Sequence, residues 1–157
     1  MALGQAAGTA AHLAIEGQKE PREIDVDKLQ QLLIEKGQIL TYFKDLDLSD
    51  PAHRAGQYFG TKGFFKDYFF RTKETLDRAL ADEWIGKILP RRKLPLSTVR
   101  TVSQAEVESL LPGLRAYWRR LPNTTIGAAA PVLRGEFCGA LYEWLQSIHL
   151  ETKPTRR

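Results

Sequence analysis

The stretch Met1-Ala2-Leu3-Gly4-Gln5-Ala6-Ala7-Gly8-Thr9-Ala10-Ala11 is built mostly of glycine and alanine. Continued through Leu13 and Ile15, it predicts a helix over Leu3 to Glu16 with Gly17 as its C-terminal stop. Such a helix has few side chains with which to form a core of its own. Small residues serve where a helix backbone must closely approach another backbone or a bound ligand, so the segment is expected to lie against a larger partner. Glycines near a helix amino terminus also open the unpaired amides of the first turn to an anion or a carbonyl oxygen. Gly4 and Gly8 equally fit the small-xxx-small spacing of tight helix packing, and spacing alone leaves both readings open.

Beyond Gly17 the pattern stays helical. Asp25 is placed to cap a short amphipathic helix carrying Val26, Leu29, Leu32 and Leu33, with Gly37 after its last turn. A connector, Gln38 to Ser49, follows, with an extended stretch expected around Ile39 to Phe43. Asp50-Pro51 then opens a helix carrying Ala55, Tyr58 and Phe59. Leu76-Asp77-Arg78-Ala79-Leu80 leads into a helix with Trp84, Ile85, Ile88 and Leu89. Val132-Leu133-Arg134-Gly135-Glu136-Phe137 leads into another with Leu141, Tyr142, Trp144 and Leu145. These two share one order: apolar residue, capping position, arginine, small residue, amphipathic helix. Between them Ser103-Gln104-Ala105-Glu106 has the form of a capping box, in which the serine side chain and the glutamate reciprocally satisfy free backbone amides. Leu114, Tyr117, Trp118 and Leu121 mark one more apolar face after Pro112-Gly113. About six helices with little strand are expected.

The 157 residues, 43% hydrophobic and 27% charged, fall in the globular range. No run approaches the roughly 18 apolar residues of a membrane span, and the apolar start lacks the basic segment that precedes a signal sequence. No membrane association is expected. The net charge of +4 is spread over Arg91-Arg92-Lys93, Arg115, Arg119-Arg120 and the tail, which suits solvated faces better than a nucleic-acid groove. Cys138, the single cysteine, falls in a helical apolar pattern and reads as a buried thiol. His12, His53 and His149 are scattered without metal-ligand spacing. Cys138 and His149, eleven positions apart on one helix, are about three turns from each other and make no nucleophile and base pair. Asp45 and Asp47 read as a solvated connector, and Trp84, Trp118 and Trp144 as core.

The block Met1 to Ala11 resembles one found in FAD-dependent oxidoreductases with a glutathione-reductase-like flavin domain. The resemblance implies that the block lies where the chain re-enters the flavin site, with the start of its helix against the isoalloxazine or ribityl part of FAD. Carried over by position, it makes Leu3, Gly4, Gln5, Ala6 and Ala7 the cofactor-binding residues. Ile24 to Leu40 is similar to the segment that follows in such proteins, and Tyr58 to Phe65 to an extension found in some of them. The G-x-G-x-x-G turn and the acidic ribose ligand of a dinucleotide fold do not occur here. The chain therefore reads as a carboxy-terminal fragment of such an enzyme, without catalytic residues, inactive and free of FAD when alone. Its implied partners are the rest of the flavin domain and the small-molecule substrate of the parent enzyme.

A second resemblance concerns Gly63 to Arg78 and Arg134-Gly135-Glu136-Phe137, which look similar to the closing half of surface-layer homology modules that bind cell-wall polysaccharide. Leu80 stands where those modules carry an acidic residue, Leu133 stands for the capping threonine, and no third unit is expected. The resemblance implies, as an alternative, a stand-alone helical interaction or glycan-binding module. The organisation expected is mainly α: residues 1–17 as the terminal helix of a flavin domain, 18–49 as helix and connector, 50–150 as a compact helical domain, and 151–157 as a basic tail.

Overall fold

The computed structural model describes residues 2–120 and 127–151. Over these the chain is mainly α, as expected. The helices are α1 (Ala2–Gly17), α2 (Val26–Glu35), α3 (His53–Thr61), α4 (Arg78–Ile88), α5 (Gln104–Leu110), α6 (Leu114–Trp118) and α7 (Arg134–Glu151), with a 3-10 turn at Pro21–Glu23. Leu121 and most of the basic tail lie outside the described residues.

The local signals act where they were read. The Asp25 carboxylate accepts from the Asp27 and Lys28 amides at the start of α2, and the reciprocal Ser103–Glu106 box starts α5. Gly37 takes the left-handed conformation, φ 78°, that ends α2 and that a residue with a Cβ adopts only at a cost. α1 packs on α2, and its inward side buries Thr9, Leu13 and Ala14.

The Gln38–Ser49 connector departs from expectation. No strand forms around Ile39 to Phe43, because a buried side chain from α3 takes up its backbone groups. Gln57 Oε1 accepts the Leu40 and Thr41 amides at 2.7 and 2.8 Å, and its Nε2 donates to the Thr41 carbonyl at 2.9 Å. Gly60 permits this approach, since a Cβ there would stand 2.7 Å from the Thr41 Cβ. Lower in the connector, the Asp45 carboxylate accepts the Phe70 and Arg71 amides at 2.7 and 2.8 Å. Asp45, exposed as expected, also pins two loops together.

One core runs through the chain from Ile34, Phe43 and Leu46 to Leu141 and Tyr142. Aromatic rings form its spine. Phe59 stacks on Phe64 at 4.5 Å, Phe64 on Trp84 at 5.0 Å, and Trp84 on Phe137 at 6.1 Å. The buried Trp84 indole N–H donates to the Phe64 carbonyl at 2.8 Å, which satisfies its one polar group. Trp84 and Trp118 are core as expected, and Trp144 packs partly buried against it.

The carboxy-terminal half is organised as a ring of three units, although only two were expected. The third is Thr101-Val102-Ser103-Gln104-Ala105-Glu106. Single antiparallel bridges join Asp77 to Thr101, Ser103 to Pro131 and Thr75 to Leu133, so each unit pairs with the next and the last returns to the first. At the centre the amide of Val102 donates to the Leu76 carbonyl at 3.3 Å, that of Val132 to Val102 at 3.0 Å, and that of Leu76 to Val132 at 2.7 Å. A second cycle lies outside it: Arg78 donates to the Arg100 carbonyl, Gln104 to Ala130 and Arg134 to Glu74, at 2.8, 3.1 and 2.9 Å. The side chains repeat in step. Leu76, Val102 and Val132 at the centre are fully buried, as are Ala81, Val107 and Phe137 five positions on, while Ile85, Leu111 and Leu141 nine positions on are at most 1% exposed.

Candidate functional site

Two surfaces carry the residues singled out by sequence. The first is the outward face of α1. Leu3, Gly4, Ala7, Gly8, Ala11 and Ile15 are exposed, Leu3 and Ile15 at 88% and 78%. Apart from the helix's own backbone, no atom lies within 4 Å of where a Cβ would stand on Gly4 or Gly8, so the backbone is open there to close approach. The other two candidate residues turn inward: Gln5 and Ala6 are half-buried, and Gln5 Oε1 accepts from Gln38 Nε2. Leu3, Gly4 and Ala7 are thus presented together, whereas the Gln5 side chain anchors the helix to the connector.

The second surface is formed by the junctions between units of the ring. Each lies where the first residue of one helix meets the segment that precedes the next unit. Between α4 and α5 the Arg78 guanidinium donates Nε to the Val99 carbonyl at 2.8 Å, Nη1 to Pro95 at 3.0 Å and Nη2 to Glu106 at 2.5 Å. Burial raises the Glu106 carboxyl, but the Ser103 amide, the Arg78 guanidinium and the Ser103 hydroxyl together hold it below the usual range. Between α5 and α7 the equivalent residue is Gln104, buried, with Oε1 accepting the Gly127 amide at 3.1 Å.

The groove between α7 and α4 is different. It encloses about 170 Å³ lined by Phe65, Lys66, Phe69, Leu80, Arg71 and Arg134, among others. Arg71 occupies it with the left-handed φ of 59°, an arrangement that costs about 1–3 kcal/mol unless its surroundings impose it. Here Asp45 imposes it from the backbone side, and a side-chain pair with Asp67 at 2.5 Å imposes it from the other. The Arg71 hydrogen bonds hold the Asp67 carboxyl below its ordinary value of 3.8.

Cys138 is fully buried, and burial pushes its thiol upward. The Tyr58 phenol is pushed up to about 12, chiefly by burial. Neither is a nucleophile near neutral pH. Among the described residues no three His, Cys, Asp or Glu side chains are grouped to hold a metal, and no helix is long and apolar enough to cross a membrane.

Comparison with known proteins bears on the first surface. The family described as FAD dependent oxidoreductase matches residues 1–33, which is α1 and most of α2. No curated protein and no solved structure matches the chain. The segment that supplies the exposed face of α1 is therefore the segment similar to this family, and the match does not reach the three-unit ring.

Proposed function

We propose that the chain is the carboxy-terminal part of an FAD-dependent oxidoreductase of the glutathione-reductase-like kind, with α1 as one edge of the flavin site and the ring as an accessory domain. The observation that carries this reading is the coincidence of two properties in α1. Its sequence falls within the match to the flavoprotein family, and its outward face is exposed, without charged side chains ahead of the His12–Glu16 pair, and stripped of side chains at Gly4 and Gly8.

The residues present suit one wall of a flavin site. The first turn of α1 has amides without helical acceptors and no acidic side chain to repel a negative partner. Leu3, Gly4 and Ala7 offer backbone and apolar surface to a planar ring, and Gln5, held by Gln38, fixes the approach angle of that turn. FAD, when bound, supplies the electron transfer. One helix edge is too small a contact to offset the cost of ordering so large a cofactor, so the rest of the flavin domain is the required partner. The test is to follow the reading frame upstream of Met1, express the longer product and record its visible spectrum. Flavin bands that survive gel filtration are the expected result; a colourless protein from an open frame would sink the reading.

A second reading is favoured by the three-unit ring. A closed ring whose grooves repeat the same arginine or amide position suits a module that binds repeating polymers, and cell-wall polysaccharide is the class implied by the surface-layer homology resemblance. The readings are compatible, since the flavin edge and the grooves use different residues. Retention of the chain on purified cell-wall polysaccharide, against a cellulose control, tests the second.

A further inference from the structure

We infer that Gln38, in the connector beyond the segment similar to the flavoprotein family, is a positioning residue for the flavin edge, and that the accessory domain holds it in place. This rests on the flavin reading above and adds how the first turn of α1 is kept at a defined angle.

The need arises from how α1 is anchored. Its inward side is buried at Thr9, Leu13 and Ala14, in its middle and last turns, and packs there on α2. The first turn has no such burial. Leu3 and Gly4 are exposed, and Gln5 and Ala6 are only half-buried. A helix end without packing frays, and Gly4 adds backbone freedom at that point. What ties this turn to the rest of the chain is the hydrogen bond that Gln5 Oε1 accepts from Gln38 Nε2.

Gln38 is itself fixed from both sides. Its amide donates to the Leu33 carbonyl at 2.9 Å, just past the left-handed turn at Gly37. Two and three residues further on, Gln57 of α3 takes up the Leu40 and Thr41 amides and the Thr41 carbonyl. Gly60 of the same helix leaves room for Thr41 to lie against it. Gln57 is 2% exposed, so these bonds are made where water competes little for them. α3 in turn packs on α7 of the ring. Hydrogen bonds and packing therefore run from α7 through α3 and the connector to the first turn of α1. A wall held in place before the cofactor arrives costs no further ordering when it binds. The accessory domain thus acts on the cofactor site through Gln38 and lends it no contact of its own.

The test uses Gln38→Leu, which keeps the bulk of the side chain and deletes the hydrogen bond, and Gln38→Glu, whose carboxylate accepts from Gln5 once that amide turns over. In this chain, backbone order parameters from NMR relaxation should fall at residues 3–5 from about 0.85 to below roughly 0.6 in Gln38→Leu. They should stay unchanged at Leu40 and Thr41, which Gln57 holds independently, and recover at 3–5 in Gln38→Glu. Unchanged order at 3–5, loss of order at Leu40 and Thr41 as well, or no recovery in Gln38→Glu would overturn the positioning role. In the longer product read from the upstream frame, Gln38→Leu should bind FAD about two- to tenfold more weakly, the range of one net hydrogen bond, and shift the flavin bands. A yellow wild type whose FAD affinity and spectrum Gln38→Leu leaves unchanged overturns this inference and leaves the flavin reading standing. A colourless wild type or a closed frame overturns both.

Discussion

Arg78 and Arg134 occupy the same position in two units of the ring, yet their substitution should differ several-fold in cost. Arg78→Met keeps the apolar stem and deletes three charge-assisted hydrogen bonds, to Val99, Pro95 and Glu106. Such bonds contribute about 1.5–3 kcal/mol each at most, they are not additive, and the Glu106 side chain, 24% exposed, recovers some solvation. The Ser103 amide and hydroxyl also still hold Glu106, both at 2.9 Å. The expected loss is about 2–3 kcal/mol, which for a chain of this size lowers the midpoint by roughly 4–12 °C. Arg134→Met removes a loose 3.5 Å pair to Glu74, whose carboxylate is exposed, and should cost under about 1 kcal/mol. Urea unfolding followed by tryptophan fluorescence measures both. If Arg134→Met costs as much as Arg78→Met, or if Arg78→Met costs less than about 1 kcal/mol, the reasoning from their different bonding is refuted.

Three other outcomes follow from the same structure. Leu13 is 7% exposed, so Leu13→Ala should destabilise the α1–α2 pair by about 2 kcal/mol, whereas Leu3→Ala, at an exposed site, should leave the midpoint unchanged and reduce self-association in light scattering. Asp67, Asp77, Glu83 and Glu106 are all held below their ordinary values of 3.8 and 4.5. On acidification the unfolded chain takes up those protons first, so stability should be full above about pH 5 and fall as the pH drops toward the lowered folded values. An acid limb of opposite sign in urea midpoints would contradict the pairing. Gly135 sits where a Cβ would approach the Thr72 carbonyl at 3.0 Å and its Cβ at 3.1 Å, so Gly135→Ala should destabilise by about 1–3 kcal/mol through overpacking, measured by thermal melting.

Much of this architecture was legible. Caps at Asp25 and Ser103, the glycine stop at Gly37 and the apolar spacing around Trp84 act locally, so a single sequence displays them. The third unit was not legible because its resemblance to the others is not local. Its capping residue is Ser103 where the others have Asp77 and Leu133, its first helical residue is Gln104 where they have arginine, and the centres Leu76, Val102 and Val132 are unevenly spaced. What the three share is a set of backbone hydrogen bonds and buried positions that exists only once the ring closes. The irregular connector was missed for a related reason: Gln57, an ordinary polar residue in an amphipathic pattern, satisfies the backbone that a neighbouring strand would have paired. Of the five candidate flavin residues, Leu3, Gly4 and Ala7 share the outward face, while the inward turn of Gln5 and Ala6 depends on where α2 lies, which no pattern in the first seventeen residues specifies.

The ring of three units is the frame of the carboxy-terminal half, and amide hydrogen exchange at its centre tests it most directly. The Leu76, Val102 and Val132 amides close one cycle of hydrogen bonds, so they should exchange only through global opening, at a common free energy equal to the urea-derived stability. If the Val102 amide exchanges well before the other two, the middle unit is not part of a closed ring and the account fails.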